Sequence, residues 1–174
     1  MTAVTTTDAI VIGTGVIGTA VAYELCKLGI RTLSLDRNSQ IGHGSTAGSC
    51  AIIRMHYSTR EGTAFAWEGY HYWRDWPEYL GLPATETLAQ FKECGCLVMQ
   101  TDANGMLVNH VEHSTALSIP HDIWDVAAIN ERLPVYSLQS FAPPKRPEHD
   151  KFGEPNGKSL NLSLIHISEP TRPY

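Results

Sequence analysis

Three glycines, Gly13, Gly15 and Gly18, stand between a short apolar run and a stretch of helical periodicity. The run, Ala9-Ile10-Val11-Ile12, is rich in β-branched residues, as suits a parallel strand covered on both faces. Behind the glycines, Ile17, Ala20, Val21, Leu25 and Leu28 recur at helical spacing, and Gly29 offers the left-handed position at which such a helix stops. Residues 31–35 then alternate, with Leu33 and Leu35 on one face, and close at Asp36. The pattern predicts a strand, a tight turn, a helix and a second parallel strand. Its fold class is α/β, with a Rossmann-like βαβ beginning followed by the start of a mixed-sheet (α+β) domain, truncated.

Each part of that turn has a physical task. Gly13 permits the strand-to-helix turn, Gly15 lets a diphosphate approach the backbone, and Gly18 lets the helix pack closely on the strand. The amides of Val16 and Ile17 open the helix, where its positive end favours an anion. A carboxylate at Asp36 accepts from ribose hydroxyls and repels a 2′-phosphate, which disfavours NADP. The motif alone leaves FAD and NAD both open, and it also allows a plain βαβ turn without a ligand.

Charge narrows the remaining classes. With 13 basic and 18 acidic side chains the formal charge is −5, so the electrostatic footprint of a nucleic-acid binder is missing. Residues 9–25 are the sole candidate membrane span, and they are too short, broken by glycines and interrupted by Glu24. Residues 1–7 lack the basic start of a secretory signal, and four cysteines are too few for a disulfide scaffold. These features predict a cytoplasmic protein with reduced thiols. Cys94 and Cys96 lack the paired spacing of a zinc site, and His110 and His113 have no third ligand in view. The reading there is packed thiols, solvated histidines and no metal.

Further along, residues 39–48 form a Gly/Ser/Thr-rich connection. A second helix is predicted over residues 59–80, with Ser58 and Glu61 spaced as a capping box and Phe65, Tyr72, Trp73, Trp76 and Leu80 on a core-facing stripe. Short strands at 91–93 and 96–100 lead to a turn at 102–105, then to helices over 106–117 and 127–132. Beyond Leu133 prolines accumulate, and residues 143–158 read as extended chain or loop.

Residues 44–48, Gly-Ser-Thr-Ala-Gly, and the Ile52-Ile53-Arg54 segment carry a family likeness when joined to the glycine motif. Over residues 8–80 the pattern resembles the D-amino-acid oxidase superfamily of flavoproteins, and within it the sarcosine oxidase and dimethylglycine dehydrogenase group. A weaker likeness runs through residues 95–98 into the start of the family's substrate domain. The resemblance implies FAD, a small amine or amino-acid substrate, and hydride transfer to flavin from the carbon beside nitrogen, followed by hydrolysis of the imine. It implies that Arg54 pairs with the substrate carboxylate, a task suited to a planar guanidinium fork. It implies FAD contacts at Ser45 and Thr46, and places Arg37 beside the adenine. Thr46, Ala47 and Ala51 depart from histidines and a basic residue found in some relatives, which leaves the exact substrate open. His56 and Tyr57, next to Arg54, are candidates for the flavin face or for simple packing.

The last thirteen residues resemble the conceptual translation of a transposase-type sequencing adapter, so residues 162–174 are expected to be non-native. The organisation expected is therefore the N-terminal part of an FAD-binding domain over 1–84, a partial substrate domain over 85–161, and a foreign tail. An NAD-dependent dehydrogenase and a catalytically inert truncated polypeptide are the alternatives.

Overall fold

The computed structural model describes residues 6–83, 87–100 and 105–160, together with the backbone of residues 162–166. The expected turn at 102–105 lies almost wholly outside them. The chain divides after Ile52 into two units.

In the first unit, β1 (Ala9–Ile12) and β2 (Thr32–Leu35) pair in parallel, Ala9 opposite Thr32 and Ile12 opposite Leu35. Helix α1 (Val16–Lys27) connects them and packs on both. Gly29 takes φ +76, the left-handed stop anticipated for this helix. One expectation fails: the β1–β2 ribbon is not covered on both faces. Ile10 is 57% exposed and Ile12 87%, because one helix shields a single side of the two strands.

The second unit is built on α2 (Arg60–Arg74), α3 (Trp76–Leu80), β3 (Cys96–Gln100), α4 (Leu107–Ala116), β4 (Asp122–Asp125), α5 (Val126–Arg132) and β5 (Leu162–His166). The predicted long helix is two helices that part at Asp75, whose φ −104, ψ 37 leaves the helical region just before Pro77. The cap also lies one residue later than the spacing suggests: the Thr59 hydroxyl accepts from the Gly62 amide at 3.1 Å. The aromatic stripe is not the core face. Phe65 is 82% exposed, whereas Tyr70 packs with Met55 and Ile119, and Trp67, Phe91 and Leu117 close around them. Thr63, Trp67 and Tyr70 follow i, i+4, i+7 spacing, so the buried stripe of α2 starts at a small polar residue that hydrophobicity patterns pass over.

Strands β3 and β4 flank β5 and run antiparallel to it. Residues 162–166, inside the stretch read as foreign, thus hold the middle position of this sheet. Residues 91–93 form no strand, and β4, absent from the sequence expectation, supplies an edge. Residues 143–158 are turns and loop, as the prolines require.

Candidate functional site

Two groups of residues carry chemistry, one in each unit. The first surrounds the glycine turn. Gly13 adopts φ +103, a conformation that side chains oppose. A Cβ on Gly18 would stand 1.8 Å from the Gly13 carbonyl oxygen, so the helix lies against the turn with no room for a methyl group. A Cβ on Gly15 would reach within 3.0 Å of Thr46 Oγ1. That bare backbone at the helix entrance is a cradle which any side chain would fill.

Asp36 is turned into this cradle. Its Oδ2 accepts from the Thr14 amide at 2.7 Å and the Thr14 hydroxyl at 3.0 Å, and its Oδ1 accepts from the Asn38 amide at 2.8 Å. These donors, the Asn38 amide first and then the Thr14 amide, hold the carboxyl down at about 2, so it is ionised at any ordinary pH. Oδ1 still has lone-pair capacity for an outside donor.

The loop after β2 returns over the turn. The Gly42 amide donates to the Thr14 carbonyl at 2.9 Å, and the Val16 amide donates to Thr46 Oγ1 at 2.9 Å. Val16 and Ile17 are exposed at the helix entrance, where first-turn amides have no partner within the helix. The structure therefore brings Gly13, Gly15, Val16, Ile17, Gly18, Asp36 and Thr46 together. Arg37 and Ser45 are exposed, and among the described residues neither makes a side-chain hydrogen bond to the turn. Thr14 was not anticipated. It is 8% exposed and orients Asp36, and its only sequence signal is a hydroxyl residue between the first two glycines.

The second group surrounds Arg54. Met55 packs into the core, Arg54 beside it is exposed, and His56 is part-buried. The Arg54 guanidinium lies 5.0 Å from the centre of the Tyr57 ring. Among the described residues it has no carboxylate within ion-pair distance. His56 Nδ1 is 3.8 Å from Cys96 Sγ. Burial first, and then the electrostatic influence of His110 and Arg54, pulls His56 down to about 4, so the ring is neutral at working pH. Burial pushes the Cys96 thiol up. Arg54 is thus a cation among neutral neighbours.

His110 corrects the reading of solvated histidines: it is 8% exposed, and its Nδ1 lies 3.1 Å from the Tyr57 carbonyl. Packed thiols hold only for Cys96, which is half-buried; Cys26, Cys50 and Cys94 are exposed. Among the described residues no cluster of His, Cys, Asp and Glu is arranged to hold a metal, and no helix is long and apolar enough to cross a membrane.

The fold has counterparts. L-proline dehydrogenase from P. horikoshii superposes with a TM-score of 0.67 at 18% identity, covering 92% of this chain and 37% of that one. L-amino acid deaminase from Proteus vulgaris gives 0.60 at 18%, with coverage of 92% and 33%. Glycine oxidase from Bacillus cereus gives 0.58 at 13%, with 92% and 38%. The chain spans about a third of the length of these proteins. No curated protein matches it. The model of the family DAO, FAD dependent oxidoreductase, matches residues 8–143. That match takes in the glycine turn, Asp36, Arg54 and His110, and on it the chain belongs to the DAO family of FAD dependent oxidoreductases.

Proposed function

We propose that this chain is the N-terminal portion of an FAD-dependent enzyme that oxidises the C–N bond of a small amine or N-methyl amino acid. The observation that carries the reading is the contact of Asp36 with Thr14, which aims an ionised carboxylate into the glycine cradle. Val16 and Ile17 amides would hold the FAD diphosphate, Asp36 the adenosine ribose, and Ser45 and Thr46 the loop side of the cofactor, with Arg37 beside the adenine. The chemistry supplied by bound FAD is acceptance of a hydride from the carbon next to nitrogen. Asp36, accepting from a ribose hydroxyl through Oδ1, fixes the nucleotide end, and the dipole of α1 offsets diphosphate charge.

Arg54 is the substrate residue in this proposal. A guanidinium that pairs with no carboxylate among the described residues, beside a neutral imidazole and a neutral thiol, presents an unbalanced positive charge. That charge matches one carboxylate through two parallel hydrogen bonds. A sarcosine-like substrate, one carboxylate and a short N-alkyl amine, suits it.

The domain reading belongs to the same proposal: residues 1–84 contribute to the FAD-binding domain, 85–161 to the substrate domain, and 162–174 are foreign. The coverage of about a third of each structural counterpart supports a longer parent. The test uses the full-length protein. Purified, it is yellow, releases FAD on denaturation, and is bleached anaerobically by an N-methyl amino acid. A colourless protein that binds NADH overturns the FAD reading. Expressed alone, the 174-residue chain binds FAD weakly and does not turn over; robust amine oxidation by it refutes the fragment reading.

A further inference from the structure

His110 and Tyr57 are 53 positions apart, yet the ring of the first meets the carbonyl of the second at 3.1 Å. A carbonyl only accepts, so the hydrogen belongs to His110 Nδ1. The histidine is 8% exposed and sits on α4. Its ring meets His56 edge-on, with centroids 5.5 Å apart and planes at 67°. His56 in turn reaches Cys96 at the start of β3. The stretch from Arg54 to Tyr57 is therefore gripped from α4 and β3, while Met55 is anchored in the core with Tyr70 and Ile119. Residues 51–57 have no regular secondary structure, so no ladder of backbone hydrogen bonds fixes them.

We propose that His110 is a positioning residue for Arg54, holding the Tyr57 carbonyl so that the guanidinium stands preset over the Tyr57 ring for a carboxylate. The proposal rests on the reading of Arg54 as the substrate receptor. It follows from what the segment lacks: an irregular stretch with an exposed cation at one end loses affinity to conformational freedom unless its backbone is pinned. A buried N–H on the carbonyl three residues beyond Arg54 supplies the pin, and it would be wasteful for packing alone, since an apolar side chain fills a helix face without needing a partner.

Two polar substitutions separate the roles in the full-length enzyme. Asn in place of His110 presents its amide N–H near the position of Nδ1, whereas Gln presents it near Nε2. The His110→Gln protein is expected to raise KM for an N-methyl amino acid about tenfold, with kcat changed by less than about twofold. KM for the matching amine without a carboxylate should not move, and the Kd for propionate, an unreactive carboxylate, should weaken in step with KM. His110→Asn is expected to restore KM to within about threefold of the parent. A His110→Gln protein with parental KM and propionate affinity overturns the positioning role, as does equal weakening toward the carboxylate-free amine, provided that Arg54→Gln raises KM for the N-methyl amino acid more than for the amine. Failure of His110→Asn to recover KM overturns it as well. If Arg54→Gln treats both substrates as the parent does, the receptor reading itself falls and takes the positioning role with it.

Discussion

The hydroxyl of Thr46 caps the amide of Val16 at 2.9 Å, from a loop thirty positions further along the chain. The N-cap residue of α1 is Gly15, which has no side chain to do this. A distant threonine thus satisfies one of the donors that a helix start leaves free. A phosphate oxygen and the Thr46 oxygen would compete for that one hydrogen. Thr46→Val is therefore expected to cost about 1 kcal/mol of stability without cofactor. The loss should shrink when FAD saturates the protein, because a phosphate then takes over the cap. Denaturant unfolding of both proteins with and without FAD measures this, and an equal loss in the two conditions would count against phosphate binding at Val16.

Gly18→Ala tests the closeness of helix and turn. The added carbon would lie 1.8 Å from the Gly13 oxygen, a contact that only separation of α1 from the turn relieves. Overpacking of this kind costs about 1–3 kcal/mol or more. Gly69→Ala, with open space around its Cβ, is the control and should be neutral or stabilising. Thermal unfolding followed by circular dichroism reads both.

Asp36→Asn keeps the shape and removes the charge. Hydrogen bonds to charged groups contribute about 1.5–3 kcal/mol, so FAD affinity should fall roughly ten- to a hundredfold. Fluorescence titration of the apoprotein checks it. The sign of the pH effect also follows: the folded carboxyl lies near 2 against an ordinary 3.8. Its contribution to stability is present above 3.8 and disappears as pH falls toward 2.

His56 predicts a second pH window. Its folded value, about 4, is below the ordinary 6.5, so the unfolded chain binds the extra proton first. Stability should be full above 6.5, decline as pH drops from 6.5 to 4, and level off below that. With the ring only half-buried, solvent screening limits the decline to about 1–2 kcal/mol. Unfolding free energies from pH 8 to 4 should show it, and His56→Gln should flatten that part of the profile.

Ala51 adopts φ 51, in the left-handed region, with its amide held by Ser49 Oγ at 3.1 Å. An L side chain there costs roughly 1–2 kcal/mol. Ala51→Gly relieves the strain, while the freer unfolded chain offsets part of the gain, so a net stabilisation of about 0.5–1 kcal/mol is expected. The midpoint of chemical unfolding should rise accordingly.

The glycine turn was legible because its spacing, the preceding apolar run and the acid at Asp36 are all local, and in the structure Asp36 is met by bonds from Thr14 and Asn38. The surroundings of Arg54 were not legible. His110 reaches Tyr57 across 53 positions, and nothing near a histidine in sequence tells whether its helix turns it inward. The same limit applies to α2: periodicity selected the largest aromatics, whereas packing selected the stripe starting at Thr63, the one facing Met55 and Ile119. Strand β4 escaped notice because Asp122 and Asp125 bracket only two apolar residues, and its pairing comes wholly from β5.

The uncovered outer side of Ile10, Ile12, Leu33 and Leu35 has a consequence for the order of events in biogenesis. Parallel strands persist when both sides are dry, so a nascent chain paused after its first fifty residues should emerge from the ribosome with these two strands not yet stably paired.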